Sequence, residues 1–310
     1  MSRKARHLLI LVALGIFVWV PIACGGSGEL RDASQAGGSF ARIAVALVHR
    51  HDDPTAQMRL ETEALFVRYR NAEADGIEAL LGTSPAGGEL RRGECRVVDR
   101  QARYTAAFNP DGPDAEVMLL DAGDVQVSLP GGPVTLAARR YPELVPFVSG
   151  VYYGEQEPPG DLDSALGGEV TVASAGGPEV GPFAVTTPTP LDLPLTQVTA
   201  LPAGLDLRWP AGRDGEDVRI EVRGARGDGS RTLACAAPDD GGFMIAAAAL
   251  AELGTRELSV SVARLRRQPF AAPAVGGGEL LVIARDVAEV TLAELPRAAV
   301  RGASRPRTAR

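Results

Sequence analysis

The sequence predicts a mainly β protein: an N-terminal β-rich region with one short helix, followed by an antiparallel β-sandwich. Three observations carry that expectation. Apolar residues recur with period two over most of the chain, the mark of strands with one buried face. Between residues 168 and 295, strand-like runs return at intervals of roughly ten residues with turn signals between them. Gly and Pro, 36 and 23 of 310 residues, supply those turns without reaching the excess of a disordered chain.

Residues 41–48 form a mostly apolar strand and 65–69 a second. Within 72–81, Ile77, Leu80 and Leu81 stand at helical spacing, and Gly82 supplies the stop signal. Short β runs follow at 95–98, 117–120, 125–129 and 134–138, separated by turns such as Asp111-Gly112 and Gly131-Gly132-Pro133. In the second half, 170–172 is a strand and 183–194 a proline-punctuated stretch. Leu205, Leu207 and Trp209 then share one face, as do Val218, Ile220 and Val222. Leu233 with Cys235, and Phe243 with Ile245, continue the alternation. Residues 246–253 form a short alanine-rich helix ended by Gly254, and 258–262 and 280–292 complete the strands.

The two ends differ from this body. Residues 2–7 are basic, residues 8–20 form a 13-residue apolar run, and Pro21-Ile22-Ala23-Cys24-Gly25 follows. A basic head, a short apolar run and a small residue before a cut describe a secretory signal peptide over 1–23. The run is shorter than the roughly 20 residues that span a bilayer. An uncleaved anchor over 8–23 and simple secretion are the alternatives. Residues 24–40, with Gly-Gly-Ser repeats, read as a flexible tether. The body then divides into an N-terminal β-rich domain, 41–165, and a β-sandwich domain, 166–295. Residues 296–310 carry five Arg and no acid and read as a disordered basic tail.

Charge follows from this division. The whole chain carries −7; without the three cations and no acids of residues 1–23 it carries −10. Setting the five tail arginines apart leaves −15 on the body. An acidic body argues against nucleic acid as a partner. One apolar run excludes a multi-span membrane protein, and three Cys exclude a disulfide-dense scaffold.

Cys24 directly after Ala23 resembles the lipobox of bacterial lipoproteins, although the family prefers Leu where this chain has Pro21. The resemblance implies diacylglyceryl transfer to the Cys24 thiol and cleavage just before it. Gly25, in place of the retaining Asp of the enterobacterial rule, implies the outer membrane over the inner. Composition and signal together resemble the lipoproteins of high-GC bacteria, which implies no activity. The run Gly204-Leu205-x-Leu207-x-Trp209-Pro210 resembles the second strand of a fibronectin type III or immunoglobulin-like domain, implying that Trp209 packs between two sheets. The Cys…Trp…Cys pattern of immunoglobulin domains is lacking.

Candidate chemistry is sparse. His49 and His51 would share a strand face, and Asp52 could add a carboxylate, a weak candidate metal site set against a strand end entering a polar turn. With no further His after residue 23, neither a full metal shell nor a Ser-His-acid triad is supplied. Cys95 and Cys235 could pair in an oxidising compartment or stay as thiols, Cys235 lying on the apolar face of its strand. Glu61 with Glu63, and Glu155 with Glu157, could pair as glycosidase carboxylates or simply alternate on a solvent face. Of Tyr152 and Tyr153, adjacent on a strand, one ring packs in the core and at most one serves a sugar-stacking surface. Asp239-Asp240-Gly241-Gly242 and similar acidic stretches read as turns, as does Arg226-Gly227-Asp228.

The expectation is thus a cell-envelope lipoprotein with a binding or structural role and no cofactor. Its partners would be the membrane, through the lipid, and envelope proteins or polysaccharide. The alternative is an exported enzyme, acting on envelope glycans or using His49 and His51 in metal-dependent hydrolysis.

Overall fold

The computed structural model describes residues 37–51, 58–72, 74–81, 90–99, 116–140, 148–154, 162, 165–212, 216–224 and 231–292. They form a mainly β protein. The first half holds β1 (Gly37–Arg50), β2 (Arg59–Arg70), helix α1 (Ala74–Leu80), β3 (Cys95–Asp99), β4 (Glu116–Leu119), β5 (Val125–Leu129), β6 (Gly132–Arg140) and β7 (Val148–Gly154). The second holds β8 (Glu169–Ser174), β9 (Phe183–Pro188), β10 (Gln197–Leu201), β11 (Gly204–Arg208), β12 (Asp217–Gly224), β13 (Arg231–Ala237) and β14 (Gly242–Ala246). Helix α2 (Ala247–Ala251) and the long strands β15 (Glu257–Ala272) and β16 (Val275–Thr291) complete it.

Thirteen strands join in one sheet, in the order β3-β13-β12-β15-β16-β1-β2-β4-β7-β6-β5-β8-β9, and β10-β11-β14 form a second. The large sheet is mixed. The first strand runs parallel to the last, from Ala41 opposite Gly278 to Arg50 opposite Val287, and β4 runs parallel to β7. Residues 166–295 therefore do not make a clear antiparallel sandwich. The division between 165 and 166 also falls between strands that pair, because β8 bonds to β5 as well as to β9. All described residues belong to one compact unit.

The reason lies in the β15–β16 hairpin, whose 16- and 17-residue strands reach two cores. Near its base, Leu258, Val260 and Val262 pack with Leu205, Leu207 and Trp209 beside β11, and with Val218, Ile220 and Val222 of β12. Near its tip, Ala272, Val275, Leu280 and Val282 join Ile43, Val45, Phe66, Val127 and Val172. Sequence patterning shortened both strands, since the Arg264–Arg267 run and Gly276–Gly278 interrupt the apolar alternation. Each interruption has a local answer. Pro269 lies beyond Leu265, the last β15 residue paired to β12, so its missing N–H faces an edge. Gly278 sits opposite Phe270, whose ring a Cβ there would meet at 2.4 Å.

Arg264 points into the second core and is 1 % exposed. Its Nε and Nη2 donate to the two carboxylate oxygens of Asp239, each at 2.8 Å, a bidentate pair. Nη2 also donates to the Pro210 carbonyl (2.9 Å) and Nη1 to the Asp192 carbonyl (2.8 Å). Glu216 lies 3.2 Å from Nε and accepts from Arg266 at 2.8 Å. The Trp209 indole donates to Asp239 at 3.0 Å. Gly212 is required beside this cluster, since a Cβ would stand 1.9 Å from Asp239 Oδ2. One guanidinium thus fixes the segments at 191–192, 210–212 and 239 against β15.

Cys95 and Cys235 are joined by a disulfide; they face each other across β3 and β13 with Cα atoms 4.1 Å apart. That is the close spacing of a non-hydrogen-bonded antiparallel pair.

Replacing Arg264 with Met should strand Asp239 and Glu216 without their shared cation. The expected cost is about 3–5 kcal/mol of unfolding free energy, measured as a lower urea midpoint at unchanged slope.

Candidate functional site

Strands β1 and β16 are apolar on both faces, which is why residues 43–48 read as an unbroken hydrophobic run. One face enters the first core. On the other, Ala44 and Ala46 lie beside Leu281 and Ile283, and Leu265 extends the surface onto β15. Helix α1 covers this outer face on one side, its Ile77 packing with Leu65, Val67 and Leu119. On the other side Leu90 packs against Val98, Ala234 and Ala236. Between them the face forms a cleft of about 420 Å³.

The cleft has an apolar floor and charged walls. β12 contributes Arg219, Glu221 and Arg223, which alternate outward while Val218, Ile220 and Val222 point inward. β2 contributes Glu61 and Glu63, with Tyr152 and Gly154 of β7 beyond them. Arg42 and Arg285 stand along β1 and β16. Arg42 pairs with Glu78 (2.9 Å) and Glu279 (3.5 Å), Arg285 with Glu61 (3.5 Å), and Arg223 with Glu221. Glu63 has no ion-pair or hydrogen-bond partner among the described residues, and burial alone raises its pKa above the usual 4.5.

Tyr152 and Tyr153 point to opposite faces. Tyr153 is fully buried, packs edge-on against Phe66, accepts a hydrogen bond from the Ala122 N–H (2.8 Å) and donates to Asp121 (3.0 Å). Burial drives its pKa upward, with the Asp121 interaction adding to the rise and the Ala122 N–H opposing it. Tyr152 lines the cleft, so one ring serves the core and the other a surface.

His49 and His51 meet a carboxylate that the sequence did not suggest. Asp286 of β16 lies opposite His49 in the parallel register, and its Oδ2 stands 3.7 Å from His51 Nδ1. Asp286 is 2 % exposed, and the same oxygen accepts the Leu195 N–H at 2.7 Å. Burial raises its pKa; the Leu195 N–H, and then charge on His51, oppose that rise. Asp52 lies outside the described residues, as do Cys24, Glu155, Glu157 and the Arg226-Gly227-Asp228 tripeptide. Among the described residues no group of three or more His, Cys, Asp or Glu is arranged to hold a metal ion. The geometry gives this cluster a structural task, holding Leu195 to the hairpin.

Asp286 was invisible to sequence reasoning because 235 residues separate it from His51, and only the parallel ladder joins them. The β12 wall had a local signal, the outward Arg-Glu-Arg alternation, but nothing local showed that it borders a cleft. No protein-family model matches the chain, and no curated protein matches it. No helix among the described residues is long and apolar enough to cross a membrane.

A carboxyl with a raised folded pKa contributes stability below its unfolded pKa, and that stability is lost as pH rises through the folded value. Glu63→Gln removes this loss. Urea unfolding at about pH 4 and pH 7 should show the variant losing less stability than wild type on going to the higher pH.

Proposed function

We propose that the protein is an exported, lipid-anchored binding protein of the bacterial cell envelope, with the sheet-face cleft as its ligand site and no catalytic role. One observation carries the binding reading. An apolar floor walled by charged side chains, about 420 Å³ in volume, matches the makeup and size of small-molecule sites. The export reading rests on the basic head, the 13-residue apolar run and Cys24 after Ala23. A disulfide between Cys95 and Cys235 suits an oxidising compartment outside the cytoplasm. Lipid attached to Cys24 would anchor the chain in the outer membrane, with a tether shorter than the expected 24–40, because β1 already begins at Gly37.

The fold reading that accompanies this is a two-layer, immunoglobulin-like packing in the C-terminal half. Its support is Trp209, buried in a core shared by β11 and β14 of the small sheet and β12, β13 and β15 of the large one. Binding is favoured over hydrolysis because His51 faces the buried Asp286 and the cleft lacks a histidine, cysteine or aspartate among its lining residues.

Two experiments test the proposal. Membrane fractionation should find the wild type in the membrane pellet and Cys24→Ala largely released; equally firm retention of the variant would overturn lipidation. Native mass spectrometry of protein purified from its own cells should show a retained small molecule. Ala46→Trp, which fills the cleft floor, should abolish it while leaving the fold intact by circular dichroism. Identical retention in the variant would remove the cleft from consideration.

A further inference from the structure

Resting on the cleft as a ligand site, we propose that its ligand is an organic cation, an ammonium or guanidinium carried on an apolar body, with Glu63 as its counter-ion.

The argument is one of charge left over after the protein has paired its own. Four arginines and three glutamates line the cleft. Counting heads would suggest an anion. The pairings suggest the reverse. Arg42 is held by Glu78 and Glu279, Arg223 by Glu221 and Arg285 by Glu61. Arg219 also has an interaction partner. At each of the three paired positions a carboxylate already meets the guanidinium charge, so an anion would have to compete for it. This holds although the buried Nε of Arg42 and of Arg223 and the Nε and Nη1 of Arg219 make no hydrogen bond among the described residues. Glu63 alone among the lining carboxylates has no such claim on it among the described residues. It stands in the middle of β2, opposite Ala44 of the floor and Gly154 of β7. Those neighbours matter, because neither supplies a side chain that could compensate a carboxylate.

Desolvating a carboxylate without a partner is unfavourable, and proteins that retain one commonly supply the missing charge from elsewhere. A ligand cation would do so here. The surroundings define the rest of the molecule. Ala44, Ala46, Leu281 and Ile283 offer an apolar floor that accommodates an aliphatic or aromatic body beside Glu63. Tyr152 adds aromatic surface to the same wall, and aromatic faces attract cations. The acidic body, with an overall charge of −7 for the chain, favours the approach of a cation over that of an anion.

Three six-carbon probes that differ only in the head group separate the alternatives: hexylammonium, hexanol and hexanoate. Each is titrated into the full chain in detergent, with amide NMR shifts of Ala44, Ala46, Leu281 and Ile283 as the readout. Hexylammonium should shift these amides and bind at least about tenfold more tightly than either other probe. Glu63→Gln should weaken it by about tenfold or more, while Glu63→Asp recovers part of the loss. Amides outside the cleft report whether the variants keep the fold. Unchanged hexylammonium affinity in Glu63→Gln overturns the inference, as does hexanoate binding as tightly as hexylammonium, or no binding by any probe. If hexanol or hexanoate binds best and Ala46→Trp abolishes it, the cleft stands as a ligand site and only the choice of a cation fails.

Discussion

The parallel ladder between β1 and β16 is the constraint on which the rest of the molecule depends. It joins residue 41 to residue 278 and continues for ten pairs, so the first and last strands become central neighbours in one sheet. Both strands carry apolar residues on both faces, and each face packs against its own apolar cluster. One face completes the first core, and the other becomes the cleft floor. The same ladder sets Asp286 against His49 and brings Ala46 alongside Ile283. Chain closure across so many residues costs entropy, and the long contact with β2 and β15 on either side offsets it.

A second constraint keeps the hairpin in register. Arg264 marks where β15 leaves one core for the other, and a charge at that depth is tolerated only with every donor engaged. Asp239, Glu216 and the carbonyls of Pro210 and Asp192 meet that demand together. These partners come from separate loops, so the requirement of one side chain organises several irregular segments at once. Asp286, through the Leu195 N–H, holds the far end of the 189–196 segment to the same hairpin. Two buried charges thus attach the connection between the cores.

The cleft is a consequence of these arrangements. Helix α1 and Leu90 each cover part of the outer face with apolar contacts, and the section between them keeps a floor of alanine, leucine and isoleucine. The walls repeat a rule of strand geometry: on β2 and β12, alternate residues belong to the core and their neighbours face the cleft. Charge on the walls is largely neutralised in pairs. Glu63 stands apart from that pattern, as the lining carboxylate that has no ion-pair or hydrogen-bond partner among the described residues.

The sequence by itself marked most of the strands, because period-two burial is local, but it passed over β9 within the proline-punctuated stretch, β10, and the second half of β15. Val125–Leu129 was read to the residue, and Val218, Ile220 and Val222 face inward as their alternation required. It also determined that only one of Tyr152 and Tyr153 could enter a core, since neighbours on a strand point apart. Tertiary structure decided the partners. Nothing in residues 41–48 or 280–292 specifies that they run parallel to each other, and no local pattern links β8 to β5. The Arg264–Arg267 run looked like the end of a strand because inward charge normally ends one; its acidic partners lie up to 50 residues away. Glu63 shows the same limit: a carboxylate on an alternating strand is ordinary in sequence, and only the surrounding strands leave it half-buried without a counter-charge among the described residues.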